Sequence, residues 1–174
     1  MFWLTLVKDI IKILRTGENP GQIAGGFALG TLLGLWPGFT LQELLVWLVL
    51  LVLNVNIAAA LLALTVVTLI AYLFDPLVHR LGYAVLVQAD ALRGLWTALY
   101  NAPIAPLTRF NNTVVMGSFV LGLVFVLPVY LGTKRFVVAY RTHIGAKVEK
   151  WKFYQVIKQS SLIRWYERVR DLGR

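Results

Sequence analysis

The sequence predicts an all-α integral membrane protein, a helical bundle with short or broken helices and an amphipathic interfacial helix at each end. Of its 174 residues, 59% are hydrophobic and only 14% are charged, and the mean hydropathy is +0.72. Soluble domains are about a quarter charged, and a chain of this size has too much surface to hide such an apolar excess. Cysteine is absent, which excludes disulfides, thiolate catalysis and Cys-ligated metals.

The positive charge is concentrated at the C-terminal end of the chain. Residues 134–174 carry eleven of the 17 Lys and Arg residues and three of the eight acids. A basic segment that follows an apolar run is expected on the cytoplasmic face, against anionic lipid headgroups. No nucleic-acid motif accompanies the charge, so we expect no nucleic-acid partner. The expected headgroup contacts are Lys134, Arg135, Lys147, Lys150 and Lys152.

The distribution of charged and apolar residues divides the chain into three predicted regions. Residues 1–17 form an amphipathic interfacial helix that ends at Gly17, residues 18–133 form the membrane domain, and residues 134–174 form the basic cytoplasmic tail, with amphipathic helices of its own. The N-terminal helix also carries basic residues, so both termini are expected on the cytoplasmic side of the membrane. That arrangement requires an even number of crossings.

Helix signals divide the membrane domain into pieces. Asn19-Pro20 starts a first helix, which stops near Trp36-Pro37-Gly38. A second helix covers 39–53, and a third covers 57–74 and stops at Asp75-Pro76. A mixed segment follows, over 77–100, interfacial or packed inside the bundle. The last span is 114–131, with a kink expected at Pro128.

The first two helices are short for a membrane crossing. Each is about 25 Å long, whereas the hydrocarbon core is about 30 Å thick. They either cross a thinned bilayer, which gives four crossings, or form a re-entrant hairpin with its tip at Pro37-Gly38, which leaves two.

A few polar side chains in these apolar stretches are the candidate membrane site. Glu43 is the only charge between Glu18 and Asp75, and an acid inside a membrane is by default a functional candidate. A solvated position in the first turn of the second helix is the alternative. The full candidate set is Gln42, Glu43, Asn54, Asn56, Asp75 and Arg80.

Glycines at four-residue spacing mark a packing face. Gly26, Gly30 and Gly34 leave one face of the first helix without side chains, which lets a second helix approach closely. Pro37 and Gly38 supply the turn that follows.

Nothing in the sequence indicates catalysis. The two histidines lack a carboxylate cluster at metal-ligand spacing, and phosphate-loop and dinucleotide motifs are absent. We therefore expect a protein that is not an enzyme and that needs no cofactor.

Ten residues between positions 20 and 42 form a family pattern: Pro20, Ile23, Ala24, Gly26, Phe27, Ala28, Gly30, Gly34, Pro37 and Gln42. This pattern resembles the signature of a bacterial integral-membrane family catalogued as domain of unknown function 2062. Asn56 and Leu81-Gly82 also match, whereas Asp75-Pro76 stands where the wider family often has Asn-Pro. The segments 95–101 and 107–113 resemble a narrower subfamily of short proteins. That resemblance implies encoding beside a large AsmA-like envelope protein, a class thought to conduct lipid.

Two functions are compatible with these observations. The first is a non-enzymatic inner-membrane component that anchors or feeds a lipid-handling envelope assembly. A polar re-entrant cavity around Pro37, Glu43 and Asn56 would admit a lipid headgroup or dock a partner's helix. The expected partners are membrane lipids and the AsmA-like protein. The alternative is a small-solute or ion transporter or channel, which would need to act as a homo-oligomer because one copy offers few helices.

Overall fold

The computed structural model describes Ile10, Ile13 and residues 19–144. The predicted interfacial helix over 1–17 and the tail beyond 144, with Lys147, Lys150 and Lys152, lie outside the described residues. The first of two compact units ends at Val137, and the second begins at Val138.

The described residues are helical and include no strand. Five α-helices follow one another: α1 (Pro20–Leu35), α2 (Leu41–Val52), α3 (Ile57–Tyr83), α4 (Arg93–Tyr100) and α5 (Thr113–Ala139). Short π-helical or 3₁₀ turns cover Ala84–Gln88, Asp90–Leu92, Ala105–Thr108 and Tyr140–Ile144.

The first helix begins and ends where the sequence predicts. The Asn19 side chain accepts a hydrogen bond from the Gly21 amide at 2.8 Å, and the Asn19 amide donates to Gln22 Oε1 at 3.1 Å. This reciprocal cap satisfies amides that the first turn leaves without partners. At the other end, Trp36 adopts an extended conformation before Pro37, and Gly38 takes a positive φ of 78°. Both features end α1 and turn the chain.

The prediction that the third helix stops at Asp75-Pro76 is wrong. α3 continues through Pro76 to Tyr83. An interior proline removes one backbone hydrogen bond and crowds the carbonyl four residues earlier. Beyond Pro76, α3 packs tightly on α5, because a Cβ at Gly82 would overlap the Thr113 carbonyl and one at Gly117 the Val78 carbonyl. This close contact offsets the loss at Pro76.

The last helix is also longer than predicted. α5 begins at Thr113, where Asn112 Oδ1 accepts hydrogen bonds from the amides of Val114 and Val115 at 2.9 and 3.2 Å. It continues through Pro128, past the expected end at residue 131, to Ala139. Lys134 and Arg135, predicted to open the tail, therefore lie within α5.

α1 and α3 run parallel to each other in close contact. A Cβ added to any of three α1 glycines would meet the α3 backbone at successive turns: Gly26 at Asn56, Gly30 at Ala60 and Gly34 at Leu64. The Asn56 amide also donates to the Gln22 carbonyl at 3.0 Å. α2 therefore returns the chain to the level where α1 began, and the core between these three helices is built on Leu33, Leu50 and Ala60.

The turn between α1 and α2 lies beside the middle of α3. Gly34, near the end of α1, meets Leu64 and Thr68, and α3 continues for about 22 Å beyond Thr68 at 1.5 Å per residue. α5 returns antiparallel to α3, since Gly82 meets Thr113 and Val78 meets Gly117.

Two helical stretches in the described part of the chain are long and apolar enough to cross a membrane, Ile57–Gln88 and Thr113–Thr142. Only 17% and 28% of their most apolar segments are buried within the protein. A core helix of a soluble protein is mostly buried, and a soluble monomer rarely exposes large apolar patches. The outward-facing side chains of both helices therefore favour a membrane protein.

Candidate functional site

The structure does not bring the predicted polar residues into one cavity. Glu43 lies in the first turn of α2, whereas Asn56 follows the far end of that helix. The twelve residues of α2 separate these ends by about 18 Å. A single cavity around Pro37, Glu43 and Asn56 is therefore not formed. The polar residues fall into three groups, at the α1–α2 turn, at the start of α3, and in the second half of α3.

The group at the α1–α2 turn contains buried polar atoms that lack partners. Thr40 Oγ1 accepts a hydrogen bond from the Glu43 amide at 3.3 Å and caps α2. Within the described chain, Trp36 Nε1, Gln42 Oε1 and Glu43 Oε2 are buried without a hydrogen-bond partner. Such atoms are rare in folded proteins, and each one requires an explanation.

An arginine lies next to this turn. The Arg109 guanidinium is 3.8 Å from the position that a Cβ would take at Gly38. Arg109 itself is exposed and has a φ of 53°, which is unusual for a residue other than glycine. The loop before α5 thus places a cation beside the exposed turn.

The two asparagines at the start of α3 have different roles. Asn56 is buried, and its Oδ1 accepts a hydrogen bond from the Ala59 amide at 2.6 Å, which caps α3. Asn54 is exposed in the preceding turn. Neither side chain lies near Glu43, so Asn56 serves the start of α3.

Two apolar cavities lie along the contact of α1, α3 and α5. The lower cavity, of about 410 Å³, is lined by side chains that include Phe27, Val66 and Phe136. The upper cavity, of about 420 Å³, includes Val67 and Phe125. The two linings follow one another along one face of α1, with Phe27 in the lower cavity and Thr31, one turn later, in the upper cavity, and we call the pair the interhelical groove. Ligand pockets in proteins are typically about 300–1,000 Å³ and mostly apolar.

Only two polar side chains line the upper cavity, Thr31 and Asp75. Thr31 is buried, and its hydroxyl donates to the Phe27 carbonyl at 2.9 Å. Asp75 is half-buried. Asp75 and Arg80 do not form an ion pair, and the ion pair seen in the described chain joins Arg93 to Asp90 at 2.9 Å.

The first two basic residues of the predicted tail follow the lower cavity directly. Gly132 and Thr133 line that cavity, and Lys134 and Arg135, the next two residues of α5, are exposed. The Lys134 ammonium lies 6.0 Å from the centre of the Tyr130 ring. Both cations are therefore available to ligands outside the protein.

Metal chemistry has no obvious site in the described residues. No group of three His, Asp or Glu residues there is arranged to hold an ion. The His79 ring instead shares a hydrogen bond of 2.6 Å with the Thr113 hydroxyl, which links α3 to the start of α5.

Sequence reasoning missed several residues that shape these sites. Trp36 was interpreted only as the end of a helix, and Thr31 was not selected. Gly82 and Gly117, which bring α3 and α5 together, were overlooked as packing positions. The signal available for them was glycine inside long apolar helices, which is typical of membrane helix contacts. No comparable sequence signal marks Thr31, because its place in the lining of the upper cavity depends on which helices pack against α1.

Comparison with known proteins gives a family and no activity. Residues 5–144 match the family described as "Uncharacterized protein conserved in bacteria (DUF2062)". An uncharacterized protein of Treponema pallidum (strain Nichols) is 28% identical over 156 residues, which cover 90% of this chain and 96% of that protein. No solved structure matches the chain.

Proposed function

The chain belongs to the DUF2062 family of uncharacterized bacterial proteins, and we propose that it is a non-enzymatic, multi-pass protein of the inner membrane that holds a membrane lipid in the interhelical groove. Through this groove it anchors or feeds a lipid-handling envelope assembly. The observation that carries the proposal is the pair of adjoining apolar cavities between α1, α3 and α5.

The chemistry of the groove favours an acyl chain as its occupant. Nine of the lower cavity's eleven lining residues have aliphatic or aromatic side chains, and the other two are Gly132 and Thr133. An apolar chain that enters such a site removes apolar surface from contact with other lipids and fills space that the side chains leave empty. The volume of each cavity lies within the usual range for ligand pockets, about 300–1,000 Å³.

The proposed arrangement in the bilayer has two crossings, α3 and α5. α1 and α2 form a re-entrant hairpin whose turn stays beside the middle of α3. Contacts support this proposal, because the 3₁₀ turn at Ala105–Thr108 packs near α2 and Arg109 lies beside Gly38. The turn itself is exposed, so its irregular backbone at membrane depth requires a water-filled cavity or further protein around it.

The basic residues determine the proposed orientation of the chain in the membrane. Lys134 and Arg135 lie at the end of α5 and would contact headgroups at the cytoplasmic face, with both termini on that side. The resemblance to the short subfamily makes a large AsmA-like envelope protein the proposed partner. In this role the protein would hold lipid where that partner can receive it.

A bulky side chain in the lower cavity tests the proposal. A Cβ at Gly132 meets nothing within 4 Å, so Gly132→Leu should fold and fill the cavity. Gly94→Leu is the matched control, because Gly94 has equally open surroundings and lies outside both cavities.

The measurement is the amount of phospholipid that remains with the purified chain, read by native mass spectrometry. We expect lipid with the wild type and with Gly94→Leu, and a clear loss with Gly132→Leu. A wild-type chain that retains no lipid, or a Gly132→Leu chain that retains as much as the control, would contradict the proposal.

A second candidate function is supported by the unpartnered atoms at the α1–α2 turn. Trp36 Nε1, Gln42 Oε1 and Glu43 Oε2 could line part of a path for a small solute or ion. One copy has few helices, so this transporter or channel would act as a homo-oligomer. Glu43→Gln separates the two functions. Loss of solute flux in proteoliposomes supports transport, whereas unchanged flux together with lost partner binding supports the anchor.

A further inference from the structure

The upper cavity contains a carboxylate that the lipid-binding proposal does not yet use. Asp75 lines this cavity together with Thr31 and eleven apolar residues. Among the described residues, no hydrogen bond or ion pair reaches the Asp75 carboxylate. An unpaired ionisable group in a membrane helix is costly, and such groups usually mark a ligand or ion pathway.

The neighbouring cations do not neutralise Asp75. Arg80 is exposed and makes no ion pair in the described chain, and Arg93 pairs with Asp90. His79, one turn after Asp75, is engaged by the Thr113 hydroxyl. The positive charge that would balance Asp75 is therefore missing from the residues around the cavity.

The polar atoms of the upper cavity are hydrogen-bond acceptors. The Thr31 hydroxyl already gives its proton to the Phe27 carbonyl, so its oxygen can only accept a further bond. An ionised Asp75 accepts through both oxygens. A ligand that satisfies this set must bring donors, and a charged donor suits it best.

The depth of Asp75 fits a lipid headgroup. Residues 57–74 of α3 carry no charge and span about 27 Å, nearly the thickness of the hydrocarbon core, which is about 30 Å. In the proposed arrangement Asp75, which follows immediately, lies where the hydrocarbon core gives way to headgroups, in the second half of α3 and away from Lys134 and Arg135.

We propose that the upper cavity selects a lipid with a primary ammonium headgroup, which pairs with the Asp75 carboxylate while its chain occupies the groove. This inference rests on the proposed lipid-binding function and adds the class of headgroup. No covalent step is involved, and the selectivity comes from charge complementarity at one side chain.

The test compares two phospholipids with identical chains, phosphatidylethanolamine and phosphatidylglycerol, titrated onto the full chain in an uncharged detergent. Only the first carries an ammonium group. Asp75→Asn keeps the shape of the side chain and removes its charge. We expect this change to weaken phosphatidylethanolamine binding about tenfold, the scale of one hydrogen bond to a charged group, and to leave phosphatidylglycerol binding unchanged or stronger, because that lipid is anionic.

Two control variants make the comparison specific. Asp75→Glu keeps the charge and should retain the wild-type affinity for phosphatidylethanolamine. Asp90→Asn makes the same chemical change outside the cavity, at an exposed acid, and should also leave both affinities unchanged. Ethanolamine alone carries the ammonium without chains and should not compete at matched concentration.

The outcomes separate this inference from the proposed function. If both lipids bind and Asp75→Asn weakens both equally or neither, the headgroup assignment is wrong while the lipid-binding function stands. If neither lipid binds the wild-type chain, both are wrong. Competition by ethanolamine alone would overturn the assignment to a lipid.

Discussion

The backbone of Gly30 in α1 lies so close to the Ala60 carbonyl of α3 that not even one methyl group fits between them. The same contact recurs one turn earlier at Gly26 and one turn later at Gly34. Inside lipid, helices gain little from hiding apolar surface from water, so association depends on such close packing. This contact holds α1 parallel to α3, so α2 must return the chain alongside the pair.

Gly30→Ala should destabilise the protein through this contact. The added Cβ would meet backbone atoms, which cannot move away as a flexible side chain can. Overpacking of this kind lowers the free energy of unfolding by about 1–3 kcal/mol. We expect a lower Tm for Gly30→Ala than for the wild type when thermal unfolding is measured in detergent. Gly94→Ala is the control, where the open surroundings should leave the Tm unchanged or raised. Equal Tm values for wild type and Gly30→Ala would show that the two helices do not touch as described.

Asn56→Ala should cost about 1 kcal/mol or more through loss of the α3 cap. Asn56→Asp keeps an acceptor for the Ala59 amide and should retain much of the stability. Asn54→Ala is the matched control, because Asn54 is exposed and makes no cap, so its Tm should stay near that of wild type. A similar loss at both asparagines would contradict the assignment of the cap to Asn56.

Pro76→Ala should stabilise α3. The substitution restores an N–H that can bond the Tyr72 carbonyl, and Pro76 is exposed, so its ring contributes little packing. An interior proline costs a helix about 3 kcal/mol, which sets the upper limit of the gain. Pro106→Ala should instead be neutral or mildly destabilising, because Pro106 begins a 3₁₀ turn that tolerates proline. A lower Tm for Pro76→Ala would mean that the proline shapes the groove in a way that stability requires.

Glu43→Gln should raise stability by about 1 kcal/mol, because it removes charge from a carboxylate with a buried, unpartnered oxygen. Asp90→Asn, which breaks only an exposed ion pair, should change the Tm little. Residues that are kept for function often lower the stability of a protein. A Glu43→Gln protein that is more stable than the wild type and has lost solute flux would therefore favour the transport alternative. Destabilisation by Glu43→Gln would show that the hydrogen bond between the Glu43 carboxylate and the Trp47 side chain contributes more to stability than the buried charge costs.

Local signals in the sequence predicted the ends of the early helices well. Asn19-Pro20, Pro37-Gly38 and Asn56 act through their own backbone and nearest turns, so a single sequence contains enough information to interpret them. The end predicted at Asp75-Pro76 failed for the opposite reason. Whether a helix survives an interior proline depends on the helix that packs beyond it, and here α5 supplies that packing.

The geometry of the candidate site could not be predicted from the sequence. Glu43 and Asn56 were both selected for one cavity, yet they lie at opposite ends of α2. The interhelical groove could not be predicted, because it is formed by side chains from three helices that are far apart in sequence. Asp75 was selected from the sequence and lines the upper cavity.

The proposed function depends on α3 and α5 crossing a membrane, and side-specific labelling of cysteine variants in intact cells tests this most directly. The chain has no cysteine, so each variant reports one position. Asn54→Cys, before α3, and Ser160→Cys, in the basic tail, should react only from the cytoplasmic side, and Asn101→Cys, between α3 and α5, only from the outer side. Labelling of Asn54→Cys and Asn101→Cys from the same side would contradict the account.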